Sequence, residues 1–302
     1  MEFKWTYQAK NAWPQPMILQ TFLKQKGFSK AQLARLKFSG GQIFVNHRER
    51  YTNYQLHDQD VIRVFLAPEL AAATIQPSQL PIEIVYEDDL FLVLNKPAGV
   101  PSIPSRTHAT DTIANRVKGY LQAQNAESLS IHIVTRLDMD TSGLIIFAKN
   151  AYGHSVLAQQ GKTHTLQKSY LAIAQGQFTQ TSGLIDLPIG RERQHSMKRI
   201  ITKTGKASQT SYQVQASTAK ATLVKLALLT GRTHQIRVHL AAIGHPLYGD
   251  QLYGGPMSIE AQRQALHCTE VKFYQPIKQQ EIVLTAPLPA DMAQLWAHLN
   301  LV

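Results

Sequence analysis

The run Leu144-Ile-Ile-Phe-Ala148 carries no polar side-chain atom, and the polar turn Val134-Thr-Arg-Leu-Asp-Met-Asp-Thr-Ser-Gly143 leads straight into it. A short apolar run bounded by turn signals predicts a fully buried strand. Any fold built on that strand must cover it and must also accommodate the charges at its mouth. Carboxylates next to a buried strand are costly unless they are paired or solvated at a cleft. A polar turn explains part of the pattern, because Asp140, Thr141 and Ser142 can bond to nearby backbone. An aspartic-protease signature does not explain it. Asp140 is followed by Thr-Ser-Gly, one residue too long, and no second copy occurs.

At 302 residues the chain has room for about two domains. Its 44% hydrophobic and 17% charged residues describe a globular protein with a substantial core. Lys and Arg outnumber Asp and Glu by 31 to 20, and this net charge of +11 favours a polyanionic partner such as nucleic acid. Cys268 is the only cysteine, which excludes a disulfide framework and zinc-ribbon spacing. The N-terminus, Met1 to Met17, lacks the apolar core of a signal peptide, and no run approaches transmembrane length. The expectation is a cytoplasmic monomer with no membrane association.

The chain changes character near residue 68. Apolar residues at 18, 19, 22 and 23 predict a helix ending at Gly27, and Ser29 predicts the N-cap of a second helix through Ala31–Leu36. Lys30, Arg35 and Lys37 lie on that second helix. After Gly40-Gly41, Gln42–Asn46 and Val61–Phe65 read as strands. The pattern Gly-Gly-x-Ile-x-Val-Asn followed by Leu-x-x-x-Asp-x-Ile resembles the S4-type RNA-binding module. The domain reading is therefore a small α/β module over 1–68, a linker rich in Ala, Pro, Ser and Gln over 69–81, and a larger unit over 82–302. In that unit, apolar runs predict a hairpin around Glu87-Asp-Asp89, a helix over Thr112–Ala123 and another over Tyr152–Gln160. Strands are expected at Leu144–Ala148, Tyr170–Ala174 and Ala221–Leu229.

The densest polar stretch runs from Gly231-Arg-Thr-His-Gln-Ile-Arg-Val-His239 to Gly249-Asp250. Thr233 is the expected N-cap of a helix with Ile236, Leu240 and Ile243 on its apolar face, stopped by Gly244-His-Pro. His234, Arg237 and Ala241 share another face. His234 and His239 are five apart on different faces, which argues against a metal site. A solvated basic helix is the plain alternative.

Together, Arg136-Leu-Asp138-x-x-Thr-Ser-Gly143 and Gly231-Arg-Thr-His-Gln-Ile-Arg237-x-His239 resemble the RluA-type pseudouridine synthase family. Supporting pieces are Asn95-Lys-Pro-Ala-Gly99, Lys168-Ser-Tyr170, Pro188-Ile-Gly-Arg191 and Gly244-His-Pro-Leu-Tyr-Gly249. The resemblance covers residues 82 to about 290. It implies an α+β fold, with a mixed, mainly antiparallel sheet flanked by helices and loops. It also implies an RNA-modifying isomerase that breaks the N1–C1′ bond of uridine and rejoins the uracil through C5, needing no cofactor and no metal. Asp138 is implied as the catalytic nucleophile, Arg237 as the cation that keeps it ionised and oriented, and Tyr170 as the ring that stacks on uracil or moves a proton. Arg136 would fill the gap left by a flipped base, with Arg232, His234 and the module's Lys30, Arg35 and Lys37 as further RNA contacts. Many members carry His before Arg-Leu-Asp; Thr135 stands there here, which implies altered local RNA contacts.

Large-subunit ribosomal RNA is the expected substrate, with transfer RNA as the alternative. Two other classes compete. A non-catalytic RNA-binding protein of this fold needs no combination of Asp138, Tyr170 and Arg237. A glycosidase-like hydrolase would need two carboxylates flanking one bond, with Asp140 the only near candidate for the second.

Overall fold

The computed structural model describes residues 1–9, 17–66, 69, 75–105, 107–193 and 196–301. Residues 10–16 of the N-terminal stretch and residues 70–74 of the expected linker lie outside the described residues. The first unit contains β1 (Glu2–Thr6), α1 (Leu19–Gln25), α2 (Lys30–Phe38), β2 (Gln42–Val45), β3 (Arg48–Glu49) and β4 (Val61–Phe65). Its sheet has the order β1-β4-β2-β3. Ser29 caps α2 as its position implies: its Oγ accepts from the Gln32 N–H, and Gln32 Oε1 accepts from the Ser29 N–H at 2.7 Å. Leu33 and Leu36 face the core, leaving Lys30 and Lys37 exposed.

The second unit begins with β5 (Ile84–Glu87), β6 (Phe91–Lys96), α3 (Ile113–Ala123), β7 (His132–Ile133), β8 (Ser142–Ala148) and α4 (Ala151–Lys162). It continues through β9 (Gln167–Gln175), β10 (Ser182–Asp186), β11 (Ile189–Arg191), β12 (Arg199–Ile201), β13 (Gln209–Ser217) and β14 (Ala221–Leu228). The last elements are α5 (Gln235–Ala242), β15 (Leu266–Gln275), β16 (Gln280–Thr285) and α6 (Ala290–Leu301). The main sheet runs β10-β13-β14-β9-β15-β8-β6-β5, with β16 on β15 and β7 on β8. All its pairings are antiparallel except β15 with β8, so the fold is α+β with a mixed, mainly antiparallel sheet. Among the described residues no helix is long and apolar enough to cross a membrane.

β8 is the apolar run met first in the sequence, and all seven of its residues are buried. It lies between β6 and β15. Gly143 is required there, because at φ 107° an added Cβ would sit 2.2 Å from the Cys268 carbonyl oxygen of β15. The first unit docks on α4, beyond the C-terminal end of β8. Phe3 and Phe28 pack against Tyr152, whose hydroxyl donates to Lys26 O at 2.7 Å, and Ser155 Oγ donates to Gly27 O.

The expected linker is not a free spacer where it is described. Glu69 Oε1 accepts from the Ala151 N–H at 2.8 Å at the first turn of α4, and its other oxygen meets His132 Nε2. Further on, Ile75 O and Gln76 O accept from Lys118 Nζ and Asn115 Nδ2, strapping the segment across α3.

Candidate active site

The loop between β7 and β8 is pinned on both flanks of Asp138. Ahead of it, Ser102 Oγ accepts from the Leu137 N–H and donates to Leu137 O at 2.7 Å. Behind it, Lys96 Nζ donates to the carbonyls of Pro97, Val100 and Met139 at 2.7–2.8 Å. Lys96 is fully buried, and burial pushes its pKa down to about 7, against the pull of Asp140 and Asp138. Arg263 clamps the loop exit, donating to Asp140 O at 2.9 Å and pairing with Asp291 of α6. What remains free between these anchors is the Asp138 side chain, 27% exposed.

Asp138 opens on a cavity of about 840 Å³ that Tyr170, Arg136, Arg232, His234 and Arg237 also line. Among the described residues it is the only carboxylate of that lining. Asp140 is absent from it and acts instead on the buried Lys96, so the two-carboxylate hydrolase loses its second acid. Arg237 Nη1 lies 3.3 Å from Asp138 Oδ2. Its Nε and Nη2 form a two-pronged bond with Asp250, at 2.7 and 2.8 Å. Burial opposes the Arg237 charge, but Asp250 and Asp138 outweigh burial and hold its pKa above the ordinary value. Three of the guanidinium's donors are thus committed in one plane, an arrangement a lysine could not supply.

Asp250 is not singled out by the sequence alone. It follows a family-like Gly-His-Pro-Leu-Tyr-Gly run, and only the loop that folds it back reveals its role. Gly249 makes that loop possible: its φ is 73°, and a Cβ there would lie 1.9 Å from Arg263 O.

Tyr170, in the middle of β9, is 4% exposed and sits opposite Cys268. Burial, with Cys268 and Asp138, raises its phenol pKa well above the usual value, so it keeps its proton at neutral pH and is available as a hydrogen-bond donor. Arg136 is exposed at the cleft. Arg232 is exposed too, and its guanidinium donates to Ala207 O at 3.2 Å. Arg35 is half-buried and acts on Glu69, unlike its outward neighbours Lys30 and Lys37.

One expectation is corrected. Thr233 does not cap α5; the N-cap is His234, in the left-handed region at φ 56° and with no side-chain cap bond. Gln235 does the anchoring instead: its Oε1 accepts from the Arg232 N–H and the Thr230 hydroxyl, and its Nε2 donates to Gln209 O. Thr135 is largely buried in the wall of the cleft; its Oγ1 accepts from the Ile146 N–H at 2.9 Å and braces β8. His239 is also buried, between Thr210 Oγ1 and Leu187 O at 2.9 Å each. Among the described residues no cluster of His, Cys, Asp and Glu has metal-binding geometry.

The fold is that of a pseudouridylate synthase. The human protein RNA pseudouridylate synthase domain containing 4 superposes with a TM-score of 0.61 at 23% identity, covering 72% of this chain and 93% of that one. The RNA pseudouridylate synthase family profile matches residues 90–242. The uncharacterized RNA pseudouridine synthase YjbO of Bacillus subtilis is 38% identical over 279 residues, 92% of this chain and 98% of its own. Ribosomal large subunit pseudouridine synthase D of Haemophilus ducreyi is 40% identical over 235 residues, 73% of this chain and 71% of its own. The chain belongs to the RNA pseudouridine synthase family and is an isomerase acting on RNA.

Proposed function

We propose that the protein isomerises uridines of large-subunit ribosomal RNA with Asp138 as nucleophile. The observation that carries this reading is the one carboxylate that lines the cleft among the described residues, with one oxygen held by Arg237 and the other without a hydrogen-bond partner among them. A relative named for the ribosomal large subunit supports the substrate class. In this reading Arg237 keeps Asp138 ionised, and Tyr170 offers its face to uracil and its retained proton to an oxygen of the bound nucleotide. Arg136 at the cleft mouth fills the stack vacated by the flipped uridine. The N-terminal unit acts as an S4-like module, its Lys30 and Lys37 adding phosphate contacts that fix position without touching the reacting base.

The test is complementation of a strain lacking the gene, with pseudouridines mapped in total RNA. Wild type restores specific sites in large-subunit ribosomal RNA, whereas Asp138→Asn restores none and binds the same RNA with nearly unchanged affinity. Residual turnover above a few per cent would remove Asp138 from the nucleophile's role. Sites lost only from transfer RNA would overturn the substrate assignment.

A further inference from the structure

We infer that His234 is a further residue of this reaction, a positioning residue that presents its Nε2–H to the Asp138 carboxylate in a tautomer fixed by Tyr253. The inference rests on Asp138 being the reacting carboxylate.

The two oxygens of Asp138 are not equivalent. Oδ2 faces Arg237 Nη1 at 3.3 Å and His234 Nε2 at 3.9 Å. Oδ1 has no hydrogen-bond partner among the described residues. Two donors converging on Oδ2 leave Oδ1 as the oxygen turned to the substrate. At 3.9 Å the histidine contact is longer than a hydrogen bond, as catalytic contacts often are before substrate closes the site.

Which proton the imidazole carries follows from its other nitrogen. His234 Nδ1 lies 3.0 Å from the Tyr253 hydroxyl. That hydroxyl oxygen accepts from the Arg199 backbone N–H at 3.0 Å, a group that can only donate. Burial raises the Tyr253 pKa, so the phenol keeps its one proton. Among the described residues the only acceptor within its reach is Nδ1. Tyr253 therefore donates to Nδ1, and the neutral ring's proton is on Nε2. The opposite tautomer would strand the phenol proton and aim a lone pair at a carboxylate, two penalties at once.

The ring is also kept neutral. Burial lowers the His234 pKa, and Arg237 and Arg199 add to burial against the pull of Asp138. A neutral donor orients a carboxylate without cancelling its charge, as an imidazolium would. The backbone supports the same reading. His234 sits at φ 56° and ψ 21°, a conformation that costs a non-glycine residue energy and persists where the surroundings over-determine it. It turns the side chain inward, 10% exposed, toward Asp138. Tyr253 in addition lies under the Arg237 guanidinium, 5.1 Å from ring centroid to carbon, so one phenol steadies both donors.

The experiment uses the full chain and large-subunit ribosomal RNA purified from the deletion strain and labelled with tritium at uracil C5. Single-turnover tritium release gives the rate, and filter binding gives the RNA affinity. His234→Ala and His234→Asn should slow the single-turnover rate on the order of ten- to a hundredfold, the worth of one hydrogen bond to a charged group, with affinity unchanged. His234→Gln, whose amide N–H reaches the Nε2 position, should recover most of that loss. Equal losses in all three variants, or a loss confined to RNA affinity, would overturn the proposal.

Should the variants fold poorly, histidine-labelled wild-type protein decides the matter through two-bond proton–nitrogen correlations. They should report an Nε2–H ring for His234, and Tyr253→Phe should shift that signature. An Nδ1–H or doubly protonated ring in the wild type overturns the assignment. Activity of Asp138→Asn would instead defeat the nucleophile reading while leaving the ring spectrum as it is, so the two failures are distinguishable.

Discussion

Two acids bracket β8, and they have opposite fates. Glu69 stands beyond the C-terminal end of the strand, beside β7 and the start of α4, with one oxygen on the Ala151 N–H, the other on His132 and 9% of its side chain exposed. Asp138 stands before the N-terminal end, three times as exposed, with one oxygen held and one without a hydrogen bond among the described residues. The seven residues of β8 separate them by roughly 23 Å at about 3.3 Å per residue. Both carboxylates are partly buried and paired with a base, and the difference in exposure alone does not assign a role to either. What separates them is unused acceptor capacity beside a cavity. An acid whose oxygens are all bonded is architecture; an acid held by one edge and open at the other is available for chemistry.

The contrast is most easily broken through the group that holds Asp138 by that edge. Asp250 is completely buried, and its two oxygens fix the Arg237 fork. Asp250→Ala leaves a buried guanidinium with only Asp138 to pair with, which should cost about 3–5 kcal/mol of stability. The guanidinium should then swing onto Asp138 and occupy both of its oxygens, so activity per folded molecule should fall at least tenfold. Thermal unfolding and single-turnover rates on the soluble fraction check both expectations. Unchanged activity in a destabilised protein would mean that the fork needs no second anchor.

Much of this arrangement was legible from the chain, and the parts that were not share a cause. Leu144–Ala148 announced β8 because apolar residues on both faces need cover on both sides. Ser29 announced α2 through a local capping box. The site was harder to read. Asp250 meets Arg237 only because Gly249 folds a loop back on itself, and no spacing rule encodes that closure. The left-handed turn at His234 carries neither Gly nor Asn, so Thr233 looked like the cap; the compensating bonds come from Gln235 to a neighbouring strand. β13 carries a weak sequence signal for a different reason. Tyr212 and Val214 are its only large apolar residues, and most of the strand is not buried. Glu69 was hidden by its neighbours: among Pro, Ala and Leu it looked like part of a linker, although a lone acid in such a run is itself a signal.

Replacing Glu69 sharpens the comparison from its structural side. Burial alone would raise its pKa, but the His132 bond, the Ala151 N–H and the His132 and Arg35 charges hold it below its ordinary 4.5. A carboxyl depressed in the folded state contributes stability above its unfolded pKa and loses it as pH falls through the lower folded value. Glu69→Gln should therefore cost about 1–3 kcal/mol at neutral pH and flatten the acid limb of the stability curve below about pH 4.5. The single-turnover rate of the folded variant should equal wild type. A rate loss matching that of the Asp250 variant would mean that the two ends of β8 are coupled and the contrast is false.

The smallest effect is expected at the exposed face of the docked unit. Lys30 and Lys37 project from α2 into solvent, whereas Arg35 on the same helix acts on Glu69. If the two lysines contact phosphates, the double reversal Lys30→Glu with Lys37→Glu should reduce the salt slope of RNA binding by about two units, one for each lost contact. The apparent KM should rise, most visibly at low salt, while kcat at saturation stays where it was, because only uniform binding has been removed. Arg35→Glu should behave differently, putting a second negative charge beside Glu69 and lowering stability before it touches affinity. A fall in kcat for the lysine pair would instead mean that this unit helps assemble the site at the other end of β8. An unchanged salt slope would leave the unit as scaffold alone, docked on α4 beyond the end of β8 that is remote from Asp138.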